Sequence, residues 1–144
     1  VLPRHLMHEQ RGLAPLKALC ERLRAPVECR ELALLMCAEH TLVHRAHELR
    51  ADTVLKLFKR ADALRRPARF AQLLAACRAD ARGRLGFADS PYPQADYLAA
   101  LLTAAQSVDA GAIARQCSNP ADIVKAVDAA REAAVAGEKA RLGK

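Results

Sequence analysis

The sequence predicts an all-α domain of about six to seven helices, and three observations carry that expectation. Ala and Leu dominate a composition that is 52% hydrophobic while Val, Ile and aromatics are scarce, so helix propensity is high and strand propensity low almost throughout. Apolar residues recur at three- and four-residue spacing in successive segments, as in amphipathic helices. Pro26, Pro67 and Pro120 stand where segments begin, the position a first helical turn tolerates. A chain of 144 residues buries roughly two-thirds of its unfolded surface, enough for one domain with a core.

In order, Leu13, Leu16, Leu19, Cys20 and Leu23 mark a first helix over 10–24. Leu32, Leu35, Met36 and Val43 make the stripe of a long second helix over 27–49. At 100° per residue, His40, His44 and His47 share the shoulder of that stripe. Asp52 is the expected N-cap of a third helix over 53–64, with Val54, Leu57, Phe58 and Ala61 inward and Lys56, Lys59 and Arg60 outward. Pro67 opens a fourth helix to about Arg82, its inner face Phe70, Leu73, Leu74 and Cys77. The two Gly and two Pro of residues 83–93 mark a loop. Helices over 94–108, 109–117 and 121–141 follow, the last opened by Ser118-Asn119-Pro120 and expected to fray at its end.

Charge is uneven along the chain. From Lys56 to Arg84 there are nine Lys or Arg against two Asp, a local net of +7, which equals the net charge of the whole protein. Two carboxylates cannot neutralise nine cations, so this window predicts a surface for a polyanion, with Lys56, Lys59, Arg60, Arg65, Arg66, Arg69, Arg82 and Arg84 as the RNA-contacting candidates. With no Trp, five aromatics and most of those at inward positions, a base-stacking platform is not expected; phosphate and 2′-hydroxyl contact along a structured RNA is. Arg82-Gly83-Arg84 at a helix end suits close approach to a phosphate, and Gly83 also suits a plain C-cap.

The histidines are the other candidate cluster. Imidazoles at i and i+4 can chelate a metal, but a site needs three or more converging ligands. Glu9 and Glu39 are the nearest carboxylates in sequence. Five cysteines, odd in number and without C-x2-C spacing, read as apolar fillers in a reducing compartment. No G-x-S-x-G, Walker loop, Gly-rich dinucleotide turn or Asp-x-Asp pair is present, so no polymerase site is expected. No apolar run approaches the roughly 20 residues of a bilayer crossing and no leader opens the chain, which predicts a cytoplasmic protein without membrane contact. The start at Val1, in a polar stretch, predicts a piece of a longer protein.

Several runs together resemble a known family: Leu2-Pro3-Arg4-His5 with His8, Ala38-Glu39-His40 to His44, Thr53 to Phe58, Arg65-Arg66-Pro67 with Arg69-Phe70, Ala79 to Arg84 with Gly86-Phe87, Tyr92-Pro93-Gln94, and Ala104 to Val108. They are similar to the C-terminal region of the bacterial multifunctional CCA-adding enzymes, the tRNA nucleotidyltransferases with an HD-type phosphohydrolase domain. The resemblance implies residues 1–50 as the C-terminal part of a truncated HD-type domain and 51–144 as a helical RNA-binding body and tail packed with it as one unit. It implies tRNA as partner, an N-terminal nucleotidyltransferase head absent from this chain, a divalent metal (Mg, or a Ni, Mn or Co type) in the intact protein, and a homodimer as one assembly. His5, His8, His40 and His44 match the family's HD-region histidines and form a partial metal site. The His-Asp doublet that names the HD site is missing, and Thr41 stands where a relative can have Asp. This chain by itself is therefore not expected to add nucleotides. Two other readings are a stand-alone metal-dependent HD-type phosphohydrolase and a helical module docking an acidic partner.

Overall fold

The computed structural model describes residues 7–143, and among these there is no β-strand. The helices are α1 (His8–Arg11), α2 (Leu13–Arg22), α3 (Val27–His44), α4 (Ala51–Arg60), α5 (Pro67–Arg82), α6 (Pro93–Gln106), α7 (Ala110–Gln116) and α8 (Pro120–Leu142), with a 3-10 turn at Ala46–Glu48. The all-α expectation holds.

One core joins the chain from α3 to α8. Phe58 and Phe70 meet edge to face at its centre, 5.4 Å between ring centroids. Around them pack Leu35, Val43, Leu57, Leu73, Cys77, Leu98, Leu101 and Val135. The inward residues expected of α4 and α5 are all buried, and Leu55 joins them. Helix α3 lies on α5, α6 on α8 and α4 on α8. Buried apolar area is the main source of stability in such an arrangement.

The helix ends follow local chemistry. Asn119 Oδ1 accepts from the Ala121 amide at 3.0 Å with Pro120 in the first turn, as its sequence predicts, and Asp109 Oδ1 caps α7 from the Ala112 amide at 2.8 Å. Asp52 is not the N-cap of α4. That position belongs to Arg50, and Asp52 lies one residue inside the helix, where it takes an ion pair from Lys56 at 3.1 Å. The hydrogen bond from Lys56 holds the Asp52 carboxyl below its ordinary range. Helix α8 continues to Leu142, one residue beyond the expected end.

Two expected helices are broken. The first divides at Gly12, where an added Cβ would stand 2.8 Å from Cys37 Sγ and 2.9 Å from the His8 carbonyl oxygen. The chain turns at the one residue that lets it lie against α3. The second ends at His44, and the 3-10 turn carries His47 away from His40 and His44 onto the Tyr97 ring, 4.2 Å between centroids. The expected shared face of three histidines is therefore a pair.

Two of the five residues in the apolar stripe of the expected first helix are uncovered: Cys20 is buried and Leu13 and Leu16 are half-buried, but Leu19 and Leu23 are exposed. The segment Pro93–Gln116 is long and apolar enough by composition to cross a bilayer, which sequence reading did not anticipate. It is divided at residues 107–109 into α6 and α7, and α6 places Ala95, Leu98, Leu101, Leu102 and Ala105 in the core.

Candidate functional site

A row of polar rings runs along one edge of α3. His8 Nε2 meets His40 Nε2 at 2.9 Å, and His40 Nδ1 faces the carbonyls of Met36 (3.0 Å) and Cys37 (3.2 Å). A carbonyl only accepts, so His40 Nδ1 carries the hydrogen, Nε2 is bare, and His8 donates to it. One turn further, His44 Nε2 lies 3.0 Å from Asp80 Oδ2 and Nδ1 lies 2.9 Å from the Tyr92 hydroxyl. Burial first, then the neighbouring Cys77 and Asp80, push the Tyr92 phenol well above its ordinary range, so it stays protonated and donates. His44 then donates to Asp80, with its tautomer set from both sides.

These contacts decide what the histidines can hold. His8 and His40 turn their Nε2 atoms to a common point, and His44 is turned away from it. Among the described residues no group of three or more His, Cys, Asp or Glu side chains is arranged to bind a metal. His5, the remaining candidate ligand, lies outside the described residues. Two imidazoles fall short of the usual three protein ligands, so the described residues do not fit a metal centre by themselves.

The basic window looks different in three dimensions. Arg60 forks onto Glu39 through Nε at 2.7 Å and Nη2 at 2.9 Å, and Glu39 is only 5% exposed. The Glu39 bonds raise the Arg60 guanidinium further. Arg66 (3.4 Å) and Arg69 (3.1 Å) share Glu31, Lys56 takes Asp52, Lys59 takes Asp128, and Arg78 takes Asp96 at 3.7 Å. Arg65 leans on Asp62 at 3.7 Å. Asp62 apart, these carboxylates come from α3, α4, α6 and α8, outside the window, which is why counting inside it overstated the open charge. Of the eight candidate cations, Arg82 and Arg84 are the two without an ion pair among the described residues.

Those two line a cavity of about 380 Å³ with His44, Phe87, Tyr92 and Gln94. Arg82 Nε donates to the Ser90 carbonyl at 3.0 Å and ties the loop to α5. Gly83 ends α5 in right-handed conformation; the left-handed residue of the following loop is Gly86, at φ +85°. Asp80, Tyr92 and Phe87 were not singled out by sequence reading. Each lies in a run quoted for the family resemblance, yet no helical period couples residue 44 to 80 or 92.

No protein-family model and no solved structure matches this chain. Curated relatives do. The chain is 60% identical over 136 residues to the multifunctional CCA protein of Chromobacterium violaceum, 94% of this chain and 33% of that protein. It is 55% identical over 143 residues to the protein of the same name from Cupriavidus metallidurans (99% and 34%), and 58% identical over 137 residues to that of Burkholderia cenocepacia (94% and 33%). The chain thus spans about a third of the length of these relatives, and it is similar to their C-terminal region.

Proposed function

We propose that this chain is the C-terminal, helical region of a CCA-adding tRNA nucleotidyltransferase, and that it holds RNA while a separate catalytic head adds C, C and A to the tRNA 3′ end. The observation that carries this reading is the similarity of nearly the whole chain to multifunctional CCA proteins, at 54–60% identity among the relatives compared. With no Walker loop or Asp-x-Asp pair in the sequence, the contribution assigned to it in this reading is binding and orientation. That work places it in the cytoplasm, where tRNA is processed. A divalent metal belongs to the whole protein's chemistry and supplies charge at the transferred phosphate. The described histidines do not complete a site for one.

The phosphate contacts fall to the cations without carboxylate partners. Arg82 and Arg84 are the pair inside the basic window. Arg11, Lys17, Arg22, Arg24 and Arg30, on and around α1 and α2, also lack an ion pair among the described residues. The six ion-paired candidates contribute less, because each must give up a carboxylate to reach a phosphate. The test is the affinity of this chain for tRNA at several salt concentrations. Affinity is expected to fall by about 0.7 to 0.9 log units per log unit of salt for each phosphate neutralised. The double variant Arg82→Ala/Arg84→Ala should weaken binding by about 1–3 kcal/mol and flatten that slope by about two contacts. Salt-independent binding, or no binding, counts against the reading.

A further inference from the structure

We propose that the pocket between the C-terminus of α5 and the N-terminus of α6 takes one unpaired nucleotide of an RNA, its phosphate on Arg82 and Arg84 and its base against Phe87. The ligand class rests on the RNA reading above. The cavity, about 380 Å³, lies within the roughly 300–1,000 Å³ of small-ligand sites. Its polar groups are suited to a phosphate. Arg84 makes no ion pair among the described residues, and Arg82 spends its Nε on Ser90, leaving the rest of its guanidinium fork for a ligand. The 14-residue α6 opens onto the same pocket with no side chain capping its first turn, so its amide donors add to the positive field.

The apolar part is suited to a base. Phe58, Phe70 and Tyr92 are buried, whereas Phe87 stands 53% exposed at the pocket wall beside the fully exposed Leu85. An aromatic left in water next to two guanidinium groups without an ion pair among the described residues is the combination that stacks a base while its phosphate is held. Gln94 adds an acceptor: its Oε1 is buried and has no hydrogen-bond partner, a cost that a base or ribose donor would remove. Of the carboxylates next in sequence to lining residues, Asp80 accepts a hydrogen bond from His44, which disperses its charge, and Asp89 adjoins Ser90.

The test is an NMR titration of this chain with AMP, adenosine and inorganic phosphate as probes. AMP should give saturable shifts at Phe87, Tyr92 and Arg84, with adenosine and phosphate each binding about tenfold or more weaker. Phe87→Ala and Arg84→Ala should each weaken AMP about tenfold, and Phe87→Tyr should keep it, because a phenol ring still stacks. Phosphate binding as tightly as AMP, or shifts confined to other residues, would overturn the proposal in favour of a plain anion site. A chain that binds tRNA and ignores AMP overturns the pocket alone. One that takes AMP but no tRNA overturns the RNA reading and leaves the pocket standing.

Discussion

Single residues here are set by partners far away in sequence. Glu39 was an unremarkable acid on a helix shoulder until Arg60, 21 residues on, is seen to fork onto it at 2.7 and 2.9 Å. With Glu39 so buried, that guanidinium is committed to keeping a buried carboxylate paired. The row of Cys77, Asp80, His44 and Tyr92 has a measurable consequence at high pH. Burial, then Asp80, pushes the Cys77 thiol up to about 12, and the Tyr92 phenol is raised as well. For such a group the unfolded chain ionises first. Stability is therefore whole below the unfolded thiol value near 9 and falls as pH climbs from there toward the folded value of about 12, Tyr92 adding to the loss above its unfolded value near 10. Each fully uncoupled proton steepens the fall by up to about 1.4 kcal/mol per pH unit. Urea unfolding of this chain between pH 7 and 11 should show that limb, and Cys77→Ala should flatten its first part. An unchanged slope in the variant would remove Cys77 as the cause.

At the scale of elements, the break at Gly12 governs whether the histidine row exists. It lets α1 lie on α3 with His8 against His40, and it leaves no room for a methyl group against Cys37 or the His8 backbone. Gly12→Ala is expected to cost about 1–3 kcal/mol, as overpacking does, and to displace His8. The readout is the His40 ring resonance together with the denaturation midpoint. If Gly12→Ala keeps both, the close packing is not what sets the break. At the other end, Lys139 of α8 donates to the Leu49 carbonyl at 2.6 Å and the Tyr97 hydroxyl at 3.0 Å, fastening α8 over the turn that redirects His47. The period of α3 alone could not reveal that turn, because a helical wheel assumes the helix continues.

Across the whole molecule, charge is redistributed by folding. The basic window shares its cations with Glu31, Glu39, Asp52, Asp96 and Asp128, and open charge reappears at Arg82 and Arg84 and around α1 and α2. Most of these ion pairs are surface contacts worth about 0–1 kcal/mol each. Salt should therefore separate two properties. Raising it from 50 to 300 mM is expected to move the thermal midpoint by only a few degrees while RNA affinity falls by an order of magnitude or more. Parallel loss of both would place the window's cations in folding rather than binding.

The sequence by itself determined most of the helices and the inward faces of α4 and α5, because period is local: Phe70, Leu73, Leu74 and Cys77 are legible from spacing alone, as is the Asn119-Pro120 start of α8. It also carried the family resemblance, since that rests on runs of residues rather than on contacts. Tertiary structure decided the rest. It paired four of the eight candidate cations, Lys59, Arg60, Arg66 and Arg69, with carboxylates distant in sequence, separated His47 from His44, brought Asp80 and Tyr92 to His44, and left Phe87 beside Arg82 and Arg84. The physical reason is range: helix formation is set within a few residues, whereas the state of a charge or an imidazole depends on whatever lies within a few ångströms in space.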